Sequence, residues 1–316
     1  MEKNFTSINK LRQRFVKDYN LPINVFREDL WNHYMALYEF FPYYRWDSLV
    51  VKVYEEYGGN VEKWLDYCAK VRDKAILGTM ETDAYKKFNS LDLKDFDIKV
   101  PAPTSNCYTE ATNGKRFISI DLAKANFQVM KFTGVLEDNT YADFIRRCDG
   151  DEYIINSKYL RQVIFGKMNP SRQIKIERWI MSQIAFITTN ILKDRGFELF
   201  SFNNDELIYE DKSSTPEDSN DIRDVFNAIS SLVLFDVNIE YIEVERLPIV
   251  SPTGNAIDAY VRRNLITGEE KLKKASTTFF PQIYKLWKGL AIDDKDLYFF
   301  AENQLARFCE PLKLDC

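Results

Sequence analysis

The 316-residue sequence has one histidine, no CxxC pair of cysteines and no long apolar run. Its five cysteines are scattered and odd in number, which argues against a disulfide framework or a zinc cluster. The one histidine, His33, lies in the helix-like segment DLWNHYMALYEFF, where a histidine satisfied by packing is the favoured interpretation. Catalysis by a Ser–His or Cys–His pair must use this residue or none. Enzyme chemistry therefore has to depend on carboxylates, lysines and a hard metal ion.

Membrane and secretion signals are also lacking. No segment approaches the ~20 consecutive apolar residues of a membrane span, and the first ten residues have no apolar signal core. Apolar residues make up 45% and charged residues 29% of the chain, which excludes wholesale disorder. We therefore expect a soluble, cytoplasmic protein with no membrane partner, an expectation compatible with a phage or mobile-element origin.

The net charge of −5 argues against a nucleic-acid coat protein, because phosphate neutralisation dominates such binding. Local clustering of basic residues can still form a binding groove. One cluster lies at residues 158–179, where six basic residues accompany one acidic residue. A second lies beside residues 260–274. The alternative interpretation of both is an ordinary solvated surface.

The apolar periodicity divides the chain into three regions. Apolar residues recur at three- and four-residue steps through residues 1–100, which predicts a helical N-terminal region. Residues 101–248 have an α+β pattern, with an antiparallel sheet and helices on one of its faces. Residues 249–316 begin with a predicted hairpin at residues 260–274 and are otherwise expected to be mainly helical.

The middle region has the clearest signals. A β-prone run at residues 117–121 ends on an acid, and a long apolar stripe predicts a helix at residues 171–193. Alternating residues on both sides of a turn at 203–206 predict a β-hairpin. A second amphipathic helix and an alternating strand are predicted at residues 221–234 and 237–244.

Two acidic points stand out by position. Asp121 closes the run FISID, and Asp205 and Glu206 occupy the tip of the predicted hairpin. If both elements are neighbours in one sheet, these acids meet at one edge. Converging carboxylates without histidine suit Mg²⁺ or Mn²⁺, which prefer oxygen ligands. The alternative is structural, because an aspartate after a strand is commonly a helix N-cap and Asn-Asn-Asp is a common turn.

The segment SIDLAKANFQ resembles the first acidic motif of the palm of right-handed nucleic-acid polymerases, and NDELIYE resembles the third motif of family A DNA polymerases. The short spacing between them is closer to that of reverse transcriptases. RQVIFG, at residues 161–166, is similar to the finger-helix pattern of family A, and MNP with its following helix resembles the element beneath the templating base pair. The resemblance covers residues 117–246 and implies a fingers–palm–thumb order.

The resemblance implies template-directed nucleotidyl transfer with two Mg²⁺ or Mn²⁺ ions, a nucleic-acid template and primer, and nucleoside triphosphates. Asp121 and Asp205 would bind the metals, and Glu206 would support the metals or the primer terminus. The small size of the chain favours an accessory protein subunit. The implied nucleotide-binding residues are Lys158, Arg161, Phe165, Lys167, Phe127 and Asn126. The two basic clusters add Arg172, Lys175, Arg262, Arg263 and Lys273 as candidate nucleic-acid contacts.

The sequence departs from the family A pattern at two positions. Arg161 stands where the family usually has lysine, and Asn204 stands where it has histidine. In a reverse-transcriptase register, Asn204 would replace the essential aspartate, whereas the family A register keeps Asp205 and Glu206. Two alternatives therefore stay open. One is an inactive palm that binds nucleic acid or protein, and the other is a metal-dependent nuclease using the same acids.

Overall fold

The computed structural model describes residues 2–37, 43–98, 102–213, 219–302 and 304–315. The α-helices of these residues are α1 (Glu2–Tyr19), α2 (Glu28–Leu37), α3 (Tyr43–Tyr57), α4 (Val61–Met80), α5 (Asp83–Ser90), α6 (Ala125–Phe132), α7 (Tyr141–Arg147), α8 (Glu152–Asn156), α9 (Lys158–Gly166), α10 (Pro170–Lys193), α11 (Ser219–Leu232) and α12 (Phe280–Trp287). The strands are β1 (Lys115–Leu122), β2 (Phe197–Phe202), β3 (Glu206–Asp211), β4 (Val237–Arg246), β5 (Ile249–Val250), β6 (Tyr260–Asn264), β7 (Glu270–Lys273), β8 (Tyr298–Ala301), β9 (Gln304–Arg307) and β10 (Lys313–Leu314).

The N-terminal region is helical over its described residues, which confirms the prediction from periodicity. Its helices share an aromatic core in which the rings of Phe15, Trp31 and Trp46 lie 5.0–6.5 Å apart. Asn60 caps α4 and Thr82 caps α5, each accepting a backbone N–H with its side-chain oxygen. The boundary predicted at residue 100 lies outside the described residues.

A six-stranded antiparallel sheet forms the centre of the molecule, in the order β2-β3-β1-β4-β6-β7. The chain runs from β1 through helices to the hairpin β2–β3, and then through α11 to β4. With β1 between β3 and β4, this connectivity is the split βαβ arrangement. The α+β class and the predicted hairpin, helices and strands of the middle region are confirmed, with shifts of a few residues at their ends.

The two faces of the sheet differ because successive side chains on a strand alternate. On β1, Ile118 and Ile120 belong to the main apolar core, which also contains the stripe of α10. Ser119 and Asp121 lie on the opposite face. Helices therefore cover one face, as predicted, and the polar residues of β1 lie on the other.

The expectation that residues 249–316 are mainly helical is wrong for the described residues. They contain one α-helix, α12, and a single short 3₁₀ turn, while most of the other regular structure is β-strand. The predicted hairpin is confirmed as β6–β7, and β6 pairs with β4, so this region extends the central sheet. Strands of two to five residues have little signal of their own, and β5 and β10 form by pairing between distant parts of the chain.

The single histidine joins the N-terminal helices to the C-terminal region. His33 Nε2 lies 2.8 Å from Oδ1 of the fully buried Asp296. The ammonium group of Lys285 lies 2.6 Å from the same aspartate and 2.8 Å from Asp293. His33 is thus satisfied by a polar partner. Because Lys285 already compensates both carboxylates, this group of side chains is an internal ion-pair network.

Asp211 fastens three strands of the sheet together. Its buried carboxylate accepts hydrogen bonds from Arg116 of β1 (2.9 Å), Tyr241 of β4 (2.6 Å) and the backbone of Ser213 (2.8 Å). Burial by itself would raise the pKa of this group, but the hydrogen bonds outweigh burial and hold the pKa below its ordinary value. The ionised form therefore stabilises the fold, and this stability is lost as the pH falls through the lowered pKa.

We expect Asp211→Asn to lower the free energy of unfolding by about 3 kcal/mol near neutral pH, because the substitution leaves Arg116 without its buried counter-ion. Urea denaturation measures the loss. The matched control is Asp83→Asn, whose exposed ion pair with Lys86 should leave the free energy of unfolding nearly unchanged. Equal losses in the two variants would contradict the role of Asp211.

Candidate functional site

Three acids from distant parts of the sequence share one edge of the sheet. Asp121, near the end of β1, lies directly opposite Glu206 of β3 and Asn238 of β4. The backbone N–H of Leu122 donates to the carbonyl of Asp205 at 2.8 Å. Residues directly opposite in an antiparallel pair have Cβ atoms about 5 Å apart. The two acidic points are therefore neighbours, as the sequence predicted.

The position of Asp121 is fixed by a side chain that the sequence did not single out. Gln128 of α6 donates to the carbonyls of Ala123 and Asp236, both at 2.7 Å, and accepts from the N–H of Asp236 at 2.9 Å. These bonds tie the end of β1 to the start of β4. Lys124, between β1 and α6, has a left-handed backbone (φ 52°), which turns the chain sharply behind Asp121.

The electrostatic setting of Asp121 disfavours its ionised form. Burial raises the pKa of Asp121 to about 6, and the nearby carboxylates of Asp205 and Glu206 act in the same direction. A hydrogen bond from Asn238, at 3.4 Å, and the charge of Arg262 oppose this shift only in part. The edge therefore concentrates more negative charge than its own cations compensate, which is typical of functional sites.

Glu177 is a further acid at this edge that sequence reasoning missed. It lies in the middle of α10 with 6% of its surface exposed, and its carboxylate makes no hydrogen bond or ion pair with the described part of the chain. Burial, followed by the charges of Asp205 and Asp121, raises its pKa to about 7. The sequence contained a signal for Glu177, which follows Ile176 of the apolar stripe of α10. A carboxylate that is buried at such a position needs a partner or a function.

Glu206 is held by two side chains of the open sheet face. Ser119 Oγ donates to Glu206 Oε1 at 2.6 Å, and Arg262 Nη1 lies 3.3 Å from the same oxygen. Arg262 also pairs with Glu240 and lies 3.4 Å from the hydroxyl of Tyr108. With 8% of its surface exposed, Arg262 is an internal counter-ion of the acids.

The predicted basic cluster beside residues 260–274 is therefore not one free surface. Arg263, next to Arg262 in sequence, has its guanidinium within 3.4 Å of three other carboxylates, those of Glu243, Glu245 and Glu270. Lys273 differs from both arginines, since it makes no ion pair with the described residues. Burial, together with the nearby charge of Arg262, lowers the pKa of Lys273.

An open groove of about 850 Å³ connects these groups across the sheet face. Asp121, Asp205 and Glu206 line it together with Lys271 and Lys273 of β7. The groove thus brings carboxylates that could hold a divalent cation and amines that could bind an anion into one cavity. Such a combination suits a metal-bound phosphate ester.

Arg161 is the predicted nucleotide-binding residue that lies best for the role. Its guanidinium lies 5.8 Å from the ring centre of Tyr141, and it makes no ion pair with the described residues. Burial lowers the pKa of Arg161, against the opposing effects of Tyr141 and Asp121. Lys124, which the sequence did not single out, lies over the same ring at 5.7 Å. Lys158 and Lys167 are exposed at the two ends of α9.

Three other residues predicted to bind nucleotide contact neighbouring side chains within the protein in this structure. Phe165 is 1% exposed and packs against Tyr141 and Phe144, and Phe127 is 4% exposed. Both rings belong to the apolar core in this structure, and their predicted contacts with a base or a sugar stay predictions. Asn126 donates to Gln173 Oε1 at 3.2 Å, which commits its amide to α10. The apolar core takes up both aromatic rings.

The basic residues at the start of α10 serve as links to the N-terminal region. Arg172 donates to the carbonyl of Leu91 at 2.7 Å and lies over the ring of Phe88, while Lys175 pairs with Asp97. In this structure both side chains are engaged within the chain. Their predicted contact with nucleic acid would require these bonds to be exchanged.

Comparisons with known proteins identify no relative. No protein family matches the sequence, and no curated protein or solved structure is significantly similar to the chain. Among the described residues, no helix is long and apolar enough to cross a membrane. The case for a function therefore depends on the residues and geometry of the acidic edge.

The raised pKa of Asp121 predicts a cost in stability. In the unfolded chain the pKa returns to about 3.8, so ionised Asp121 destabilises the fold increasingly as the pH rises from about 4 to about 6. With a chelator present, we expect Asp121→Asn to stabilise the protein by roughly 1–2 kcal/mol at about pH 7, after discounting for solvent screening, and by almost nothing at about pH 4.

Urea unfolding of both proteins at the two pH values measures this difference. Asp66→Asn, which changes an exposed acid on α4, is the matched control and should have no effect. A destabilised Asp121→Asn variant at neutral pH would show that the carboxylate is compensated in a way that the structure does not contain.

Proposed function

We propose that this protein is a template-directed nucleotidyltransferase, a compact DNA or RNA polymerase that extends a primer with nucleoside triphosphates. The observation that carries the proposal is the pairing of β1 with β3, which places Asp121 beside Asp205 and Glu206 at the end of an open groove. The resemblance of two sequence motifs to polymerase palms assigns the catalytic role to the same three acids.

The donor set fits Mg²⁺ or Mn²⁺. Asp121 and Asp205 would bind the ions, since both are oxygen donors and no histidine or cysteine is among the described residues that line the groove. Glu177 adds a buried carboxylate that has no partner in the described part of the chain, and a cation at this edge would compensate its charge. Bound there, two divalent ions would lower the energy of the attacking and leaving oxygens in phosphoryl transfer.

The protein's own residues would orient the substrates. In the reaction, the primer 3′-oxygen forms a bond to the α-phosphorus, the bond to the pyrophosphate group breaks, and the hydroxyl loses its proton. Arg161 and Lys124, both near Asp121, would bind the phosphates of the incoming nucleotide, with the exposed Lys158 and Lys167 beside them. Positive groups fixed in this way stabilise the charge that develops on the leaving phosphates.

The groove favours the family A register over the reverse-transcriptase register. Asp205 and Glu206 line the groove, whereas the exposed Asn204 does not. The turn is closed by the backbone, with the N–H of Asn203 donating to the carbonyl of Glu206 at 2.9 Å. Asn204, the departure from the polymerase pattern in the third motif, therefore does not line the groove. Its position supports the proposal of an active site.

Nucleic acid would lie along the open sheet face. Lys271 and Lys273 line the groove, and Lys273 has no anionic partner among the described residues. Phosphodiester contacts from such amines position a strand without reading its sequence. The proposal includes either DNA or RNA as template and product, and it includes accessory protein subunits as partners.

Primer extension tests the proposed reaction. With a labelled primer, a template, nucleoside triphosphates and Mg²⁺, we expect the wild-type protein to extend the primer. Asp205→Ala should reduce the rate by roughly 1,000-fold or more, because it removes a metal ligand from the transition state. Asp194→Ala, an exposed acid at the end of α10, is the control and should keep full activity.

The same reactions distinguish the alternatives. Metal-dependent shortening of the primer, lost in Asp205→Ala, would identify a nuclease. Tight binding of primer and template without chemistry in either protein would identify an inactive palm. Either result would refute nucleotidyl transfer.

Arg161 should affect nucleotide binding more than the chemical step. We expect Arg161→Gln to raise the KM for nucleoside triphosphate roughly tenfold, because one charge-assisted contact is lost, with a smaller change in kcat. Steady-state kinetics on the extension reaction separates the two constants. Arg147→Gln is the control, since Arg147 pairs with Asp138 away from the acidic edge. An unchanged KM in Arg161→Gln would remove this residue from the nucleotide site.

A further inference from the structure

The carboxylate of Glu206 is directed away from the end of the acidic edge. Its Oε1 accepts from Ser119, which lies on the same face of β1 as Asp121 but two residues earlier. Two residues along a strand correspond to about 7 Å. Glu206 therefore bends back along the groove, although its backbone lies directly opposite Asp121.

The curvature of the sheet brings Arg262 to this carboxylate. Val244 of β4 pairs with both Lys115 of β1 and Arg262 of β6, so Arg262 is level with Lys115. Six residues, or about 20 Å of strand, separate that level from Asp121 and Glu206. The 3.3 Å contact between Arg262 and Glu206 is therefore possible only because the sheet curls around the groove.

The acids consequently do not form one tight ligand group. Among the described residues, the only three histidine, cysteine, aspartate or glutamate side chains with ligand atoms within 4.8 Å of one another belong to the His33 network. Asp121, Asp205 and Glu206 do not meet this limit. The bonds from Ser119 and Arg262 account for this separation, because they hold the Glu206 carboxylate further along the groove than Asp121.

We propose that Arg262 is a positioning residue that holds Glu206 out of the coordination sphere of cations bound by Asp121 and Asp205. The inference rests on the proposed function, since it concerns the same acidic edge. Arg262 belongs to the region that follows the polymerase-like segment, so the extended sheet controls how many carboxylates reach the cation.

Mn²⁺ binding in the absence of nucleic acid tests the inference, with free Mn²⁺ measured by electron paramagnetic resonance. Arg262→Gln should bind Mn²⁺ roughly tenfold more tightly than the wild type, because a positive charge leaves and Glu206 becomes a ligand. Arg262→Lys keeps the charge and should stay close to the wild type. Adding Glu206→Gln to Arg262→Gln should abolish the gain.

The neighbouring arginine gives a matched control. Arg263→Gln removes the same charge from the same strand, but Arg263 pairs with Glu243, Glu245 and Glu270, which do not line the groove. Its Mn²⁺ affinity should equal that of the wild type. If Arg262→Gln does not fold, as judged by circular dichroism, Ser119→Ala removes the other bond to Glu206 and should tighten binding about twofold.

The outcomes separate this inference from the proposed function. If the protein extends a primer but Arg262→Gln and Ser119→Ala both bind Mn²⁺ with the affinity of the wild type, the role of Arg262 is refuted and the proposed function is not. Tighter Mn²⁺ binding in a protein that extends no primer would support the role of Arg262 and refute the function. A gain in Arg262→Gln that persists with Glu206→Gln would also refute the inference.

Discussion

The antiparallel pairing of β1 with β3 sets two acidic residues, Asp121 and Glu206, directly opposite each other, and the contacts of the site compensate the repulsion between their charges. Like charges in such a pair destabilise a sheet. Ser119 and Arg262 bind the carboxylate of Glu206, and Asn238 donates a hydrogen bond to Asp121. The compensation is incomplete, and this excess of negative charge is the reason why we propose a cation at this edge.

Five basic residues predicted to bind nucleotide or nucleic acid divide into two groups, which differ in whether they have partners within the described chain. Arg172 and Lys175 attach α10 to the N-terminal helices, and Arg262 compensates the acids. Arg161 and Lys273 have no anionic partner among the described residues and lie near the acidic edge or in the groove. Charge counted along a sequence cannot make this division, because the partners come from distant elements.

Local signals were strong enough to predict much of the fold. The stripe of α10 and the alternation around residues 203–206 are long, periodic patterns whose meaning does not depend on their surroundings. Of the C-terminal strands only β6 and β7 were predicted, and the expectation that the region is otherwise mainly helical was wrong for its described residues. The place of Glu177 at the acidic edge was not predicted for a related reason. The charges that surround an acid on a helix depend on which other elements pack beside that helix.

Local patterns were sufficient to predict the elements of the middle region and the acids at the ends of two of them, because strand alternation and turn composition are local properties. The side chains that surround those acids could be identified only in the folded chain. Arg262 reaches Glu206 across two intervening strands, and Glu177 reaches the edge from a helix on the other layer. Those contacts arise from sheet curvature and helix packing, which act between residues far apart in the chain.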